Sequence, residues 1–162
     1  MRDGNFAASS ISSTNIDCLV KVDVKRLMAS GLANPPSQVN GVVDKRSVKE
    51  ILAADDENSP IRIFALPDGW YAQECSFVPR KHGISEDDGW LVTYVFDESQ
   101  LDDKAEAPSN SKSELWVIDA KEMKDVVARI VLPQRVPYGM HGNWFSEEQI
   151  LNQRGFRGFR AN

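Results

Sequence analysis

Apolar and polar positions alternate along this chain in short runs, each closed by turn residues, a pattern typical of antiparallel β-structure. The run Asp17-Cys18-Leu19-Val20-Lys21-Val22-Asp23-Val24 is rich in β-branched residues and predicts a strand. Residues 25–58 lose the pattern and carry Pro35-Pro36, so they read as an irregular insertion. Inside it, Ser47-Val48-Lys49-Glu50 has the form of a capping box, and Val48, Ile51 and Leu52 follow at helical spacing. One short inserted helix over residues 47–54 is expected. Ile61-Arg62-Ile63-Phe64 then alternates, Pro67-Asp68-Gly69 makes a turn, and a strand is expected over residues 70–78. Trp90-Leu91-Val92-Thr93-Tyr94-Val95-Phe96 is a nearly continuous apolar run, as a strand covered on both faces would be. The acidic, serine-rich stretch 97–112 predicts a solvated loop. Residues 114–119 and 126–132 read as two more strands joined by a hairpin connection. A helical turn is expected near residues 147–151, before a Gly/Arg/Phe-rich end expected to be mobile.

The expectation is a mainly β fold of six or so short antiparallel strands, a pattern that fits a sandwich, a barrel or the blades of a propeller. It divides into a flexible lead-in (residues 1–14), one body (15–152) and a tail (153–162). Composition agrees with one ordinary domain: 162 residues, 41% hydrophobic and 27% charged. The net charge of −5, with no basic face, argues against nucleic acid as a partner. No apolar run has membrane-spanning length, and Met1-Arg2-Asp3-Gly4-Asn5 lacks the apolar core of a signal peptide. Cys18 and Cys75 lie far apart and match no zinc spacing, so both are expected to be reduced and the chain cytoplasmic. Nothing points to an obligate protein partner.

Candidate chemistry is sparse. The chain has two histidines, His82 and His141. His82 follows Arg80-Lys81 in a polar loop and is expected to be exposed. His141 lies in Val136-Pro137-Tyr138-Gly139-Met140-His141-Gly142, where proline stiffens the approach and glycines clear space around the imidazole. Imidazole is the commonest protein ligand for transition metals, but a histidine between glycines is also an ordinary turn residue. Glu74 stands in the run Ala72-Gln73-Glu74-Cys75-Ser76-Phe77. A carboxylate there either needs a partner, such as an imidazole N–H, or faces water on an edge strand. Glu86-Asp87-Asp88-Gly89 lacks the alternating ligands of a calcium loop and reads as a solvated turn. Trp70, Trp90, Trp116 and Trp144 are expected in packing roles. No phosphate-binding glycine loop and no nucleophile elbow is present.

Several of these segments resemble motifs of the carotenoid cleavage oxygenases, the family of carotenoid- and stilbene-cleaving dioxygenases and the retinal pigment epithelium isomerase. Asp17-Cys18-Leu19-Val20-Lys21-Val22-Asp23 is similar to one family strand, and Glu74-Cys75-Ser76-Phe77-Val78-Pro79-Arg80 to the family's E-P-x-F-V-P-R. Glu86-Asp87-Asp88-Gly89-Trp90-Leu91 resembles its acidic hairpin. Ser113-Glu114-Leu115-Trp116-Val117-Ile118-Asp119-Ala120 with Val127-Ala128-Arg129 resembles the hairpin after it. Val136-Pro137-Tyr138-Gly139-Met140-His141-Gly142 resembles V-P-x-G-F-H-G. Five pieces in family order over residues 12–152 make the match specific, and its style is fungal. Cys75 stands where the family has proline, and Met140 where it has phenylalanine.

The resemblance implies a seven-bladed β-propeller, of which this chain is a C-terminal fragment holding about the last two blades with one inserted short helix. It implies non-haem Fe(II) held by four histidines, with His141 as the last ligand and Glu74 as the outer carboxylate within hydrogen-bond reach of it. The other three histidines belong to blades this chain does not contain. The implied reaction is cleavage of a conjugated C=C bond of a carotenoid or apocarotenoid by O2 to aldehyde products. The family also brings peripheral membrane contact into consideration. The rival expectation is a non-catalytic β-rich fragment or binding module without iron.

Overall fold

The computed structural model describes residues 15–34, 43–139 and 142–153. The lead-in at 1–14, the Pro35-Pro36 turn, Met140, His141 and residues 154–162 lie outside the described residues.

Seven strands, three α-helices and one 3-10 turn (Glu98–Gln100) occur among the described residues: β1 (Cys18–Val22), α1 (Val24–Ala33), α2 (Val48–Ala54), β2 (Ile61–Ala65), β3 (Trp70–Ala72), β4 (Ser76–Pro79), β5 (Gly89–Asp97), β6 (Glu114–Asp119), β7 (Val126–Val131) and α3 (Glu147–Leu151). All strand pairs are antiparallel. β1 and β2 form a two-stranded sheet; β3, β5, β6 and β7 follow in order in a second sheet, with β4 also paired to β5. The mainly β expectation therefore holds.

Two expectations need correction. The insertion carries two helices where one was expected, because α1 occupies residues read as irregular. Asp23 ends the strand and caps this helix, its carboxylate accepting the Arg26 amide at 3.0 Å. Lys25, Arg26, Leu27, Met28 and Ala29 then favour helix strongly. α2 begins at Ser47 with both hydrogen bonds of the expected capping box. The second correction is the strand over 70–78, which is broken at Gln73-Glu74-Cys75 into β3 and β4. α3 lies where the helical turn was expected and carries its own capping box at Ser146 and Gln149.

The core lies between the two sheets. Leu19 and Phe64 from the small sheet meet Ala72, Val95, Trp116 and Ile118 from the large one, with Leu66 and Met123 from connecting segments. Trp116 is fully buried and sits edge-on to Phe64 and against Trp70, with centroids 6.3 and 5.4 Å away. β5 is the spine, with β6 on one edge and β3 and β4 on the other. Its residues Leu91 and Val95 pack toward the core, while Tyr94 is 40% exposed, so the expected cover on both faces fails at that position. At the start of β5, Gly89 is required: a Cβ there would lie 2.3 Å from the Val78 carbonyl oxygen.

Charged side chains tie the layers together. The Lys21 ammonium donates to Asp87 and to the Ala120 carbonyl, both at 2.9 Å, and to the Lys121 carbonyl. Arg80 donates to Asp88 at 2.8 Å, so the acidic turn is held by cations from β1 and from the residue just after β4. Hydrogen bonds from Ser85 and Lys21 hold the Asp87 carboxyl below its ordinary value, and Arg80 does the same for Asp88. A depressed folded-state pKa adds stability that is complete above the unfolded value, near 3.8 for Asp, and is lost as pH falls through the folded value. Denaturation midpoints are therefore expected to be level from pH 7 to about 5 and to drop steadily below about pH 4. Urea titrations across that range check this, and Lys21→Met should flatten part of the acid limb.

Candidate functional site

The break between β3 and β4 builds the site. β3 pairs with β5 through Ala72 opposite Val95, and β4 resumes with Ser76 opposite Val92. Three residues, Gln73, Glu74 and Cys75, thus stand against two, Thr93 and Tyr94. That is a β-bulge, with one extra residue on the outer strand. The Gln73 amide still donates to the Tyr94 carbonyl at 2.9 Å, and the buried Thr93 hydroxyl donates to the Gln73 carbonyl at 2.9 Å. In a regular strand Gln73 and Glu74 would point to opposite faces. Here both line one cavity of about 230 Å³, together with Tyr94, Leu115, Gly142 and Trp144. Cys75 packs against the core instead, and its burial pushes the thiol pKa up. Both cysteines are free, as expected.

The segment after β7 crosses this cavity and is pinned along its length. Leu132 donates its amide to the Ser113 carbonyl at 2.9 Å, and the Val136 amide donates to the buried Ser113 hydroxyl at 3.0 Å. The Gln73 side-chain amide donates to the Pro137 carbonyl at 2.8 Å. Tyr138 stacks edge-on against Phe96 and donates its hydroxyl to Glu98 at 3.3 Å. Burial, then the Glu98 charge, pushes the Tyr138 phenol well above its ordinary pKa, so it remains a donor. The Arg135 guanidinium lies 4.7 Å from the Phe96 ring centre and 5.4 Å from that of Tyr138. Finally, the Gly142 amide donates to the Glu74 carboxylate at 3.3 Å.

Of the two expected site residues, Glu74 is therefore placed against the loop that carries His141, touching the residue that follows it. It is solvent-exposed and sits on a bulge rather than within a strand. His141 itself lies outside the described residues. His82 is exposed in the turn between β4 and β5, with φ of 64°, apart from this cavity. Among the described residues no group of three or more His, Cys, Asp or Glu side chains could hold a metal ion. No helix among them is long and apolar enough to cross a membrane. Gln73, Thr93 and Ser113 escaped the sequence reading. For Gln73 a signal existed: two successive polar residues, Gln73-Glu74, break the alternation of a strand.

The chain is similar to known proteins over most of its length. A family model described as retinal pigment epithelial membrane protein matches residues 3–146. A "Carotenoid dioxygenase carX" of Gibberella fujikuroi is 51% identical over 156 residues, covering 96% of this chain and 22% of that protein. A "Carotenoid 9,10(9',10')-cleavage dioxygenase" of Crocus sativus is 46% identical over 95 residues, covering 57% of this chain and 16% of its own length. A chromoplastic "Zeaxanthin 7,8(7',8')-cleavage dioxygenase" of Crocus sativus is 29% identical over 163 residues, covering 95% of this chain and 40% of that protein. The chain thus spans well under half the length of each of these relatives.

Proposed function

Because this chain belongs to the retinal pigment epithelial membrane protein family of carotenoid oxygenases, we propose that it is one section of a carotenoid-cleaving dioxygenase and supplies the His141 imidazole to a non-haem ferrous iron. The observation that carries this reading is the hydrogen bond from the Gly142 amide to the Glu74 carboxylate, which puts an acid beside the loop presenting the histidine. We read the two antiparallel sheets as about two blades of a seven-bladed propeller.

The donor chemistry fits this metal. Neutral imidazole suits iron, and metal-bound histidines commonly donate their second N–H to a carboxylate or carbonyl. In this reading the remaining ligands are three further histidines supplied from outside this chain, as the family resemblance implies. Bound ferrous iron would supply the reaction with O2, in which one conjugated C=C bond and one O2 give two aldehyde carbonyls. This chain's own residues have other tasks. Glu74 orients the imidazole and holds its proton on the nitrogen facing away from the metal. Val92, Leu115 and Trp144 give the adjoining cavity an apolar wall that suits a hydrocarbon.

A chimera tests the proposal: this chain replaces the matching segment of the Gibberella fujikuroi relative. One iron per polypeptide and conversion of β-carotene or an apocarotenal to shorter aldehydes is the expected result. A folded chimera with neither iron nor product would support the non-catalytic module instead.

A further inference from the structure

We propose that Gln73 is a positioning residue for His141, forming with Glu74 a two-point clamp across residues 137–142. The inference rests on the reading of His141 as an iron ligand. Its physical basis is the bulge, which turns two consecutive side chains to the same side of the sheet. Gln73 then holds the loop before the histidine, through the Pro137 carbonyl at 2.8 Å. Glu74 holds it after the histidine, through the Gly142 amide at 3.3 Å.

The anchors suit the task. The pyrrolidine ring fixes φ at Pro137, which removes one of the two backbone rotations at this anchor. Gly139 passes close by: a Cβ there would sit 3.5 Å from the Gln73 side-chain oxygen. At the base, the bulge is stitched to β5 by the Gln73 amide and the Thr93 hydroxyl, so both clamp residues stand on an ordered strand pair. Only Tyr138, Gly139, Met140 and His141 lie between the two anchors, and Tyr138 is itself tethered to Glu98. Each backbone residue left free has conformational entropy to lose on ordering. Fixing both ends of so short a span before metal arrives removes much of that cost from binding. Ser113 and Glu98 tether the neighbours Val136 and Tyr138, and Gln73 holds the Pro137 carbonyl between them.

The test compares Gln73→Met, which keeps the volume but has no donor, with Gln73→Ala. In the 162-residue chain, amide hydrogen exchange at Gly142 is expected to accelerate about tenfold in both variants, with exchange at Trp116 and Ile118 unchanged. In the chimera, iron release is expected to quicken by about the same factor, with an altered electron paramagnetic resonance spectrum of the ferrous nitrosyl adduct. A purely space-filling side chain would be replaced by methionine without loss, so wild-type exchange and spectrum in Gln73→Met would overturn the clamp. Should His141→Ala keep its iron, the ligand reading falls, and the positioning role with it. Iron lost in His141→Ala but normal exchange and spectrum in Gln73→Met would overturn the clamp alone.

Discussion

Substitution of His141 by alanine in the chimera is expected to lower iron affinity by more than about 100-fold and bring carotenoid cleavage to background. Losing an outer hydrogen-bond partner of a metal-bound histidine already costs about 10–100-fold in affinity, and the ligand itself contributes more. Methyl in place of imidazole leaves a coordination position that only water can fill. Iron per polypeptide and aldehyde yield read the effect together. The control is His82→Asn. Asparagine tolerates the left-handed backbone that His82 adopts at φ 64°, and the side chain is exposed in a turn away from the cavity. That variant should keep wild-type iron and cleavage. Equal losses in both variants would mean that neither histidine has a specific role.

Trp116→Ala is expected to cost about 3–5 kcal/mol of stability, a large part of the 5–15 kcal/mol typical of a domain. Trp116 is fully buried where the two sheets meet, against Phe64 of β2 and Trp70 of β3. Its indole N–H donates to Glu114 at 2.6 Å, and the Arg129 guanidinium lies 4.1 Å from its ring centre. Alanine would remove the aromatic bridge between the layers and leave a cavity that rigid strands on both sides cannot close. Trp116→Phe keeps an aromatic ring but drops the N–H, and should cost about 1–2 kcal/mol less than alanine. Urea midpoints measure both. A change under about 1 kcal/mol for Trp116→Ala would show that the small sheet does not depend on this contact.

What the sequence disclosed follows from how local each determinant is. The apolar run of β5 and the capping box of α2 are written in consecutive residues, and each was legible, whereas the box at Ser146 and Gln149 of α3 was not read. α1 was hidden because Asp23-Val24 continues the alternation of β1, so the capping aspartate read as a strand residue. The bulge left only the broken alternation at Gln73-Glu74 as a trace, for another reason. It is a property of pairing, fixed when Ala72 and Ser76 are set against Val95 and Val92 on a strand about twenty residues away. Without it, Glu74 reads as one polar residue in a strand and Gln73 as nothing at all. His141 and Glu74 were singled out together only through their family motifs. The convergence of Glu74 and Gly142 depends on a tertiary hydrogen bond between residues 68 apart.

The ferrous iron dissociation constant of the chimera carrying Glu74→Ala probes that convergence most directly. If the bulge delivers its carboxylate to orient the imidazole of His141, the constant should rise about 10–100-fold, with the urea midpoint little changed. An unaltered constant would contradict the assignment and leave Glu74 as no more than an exposed acid capping the Gly142 amide.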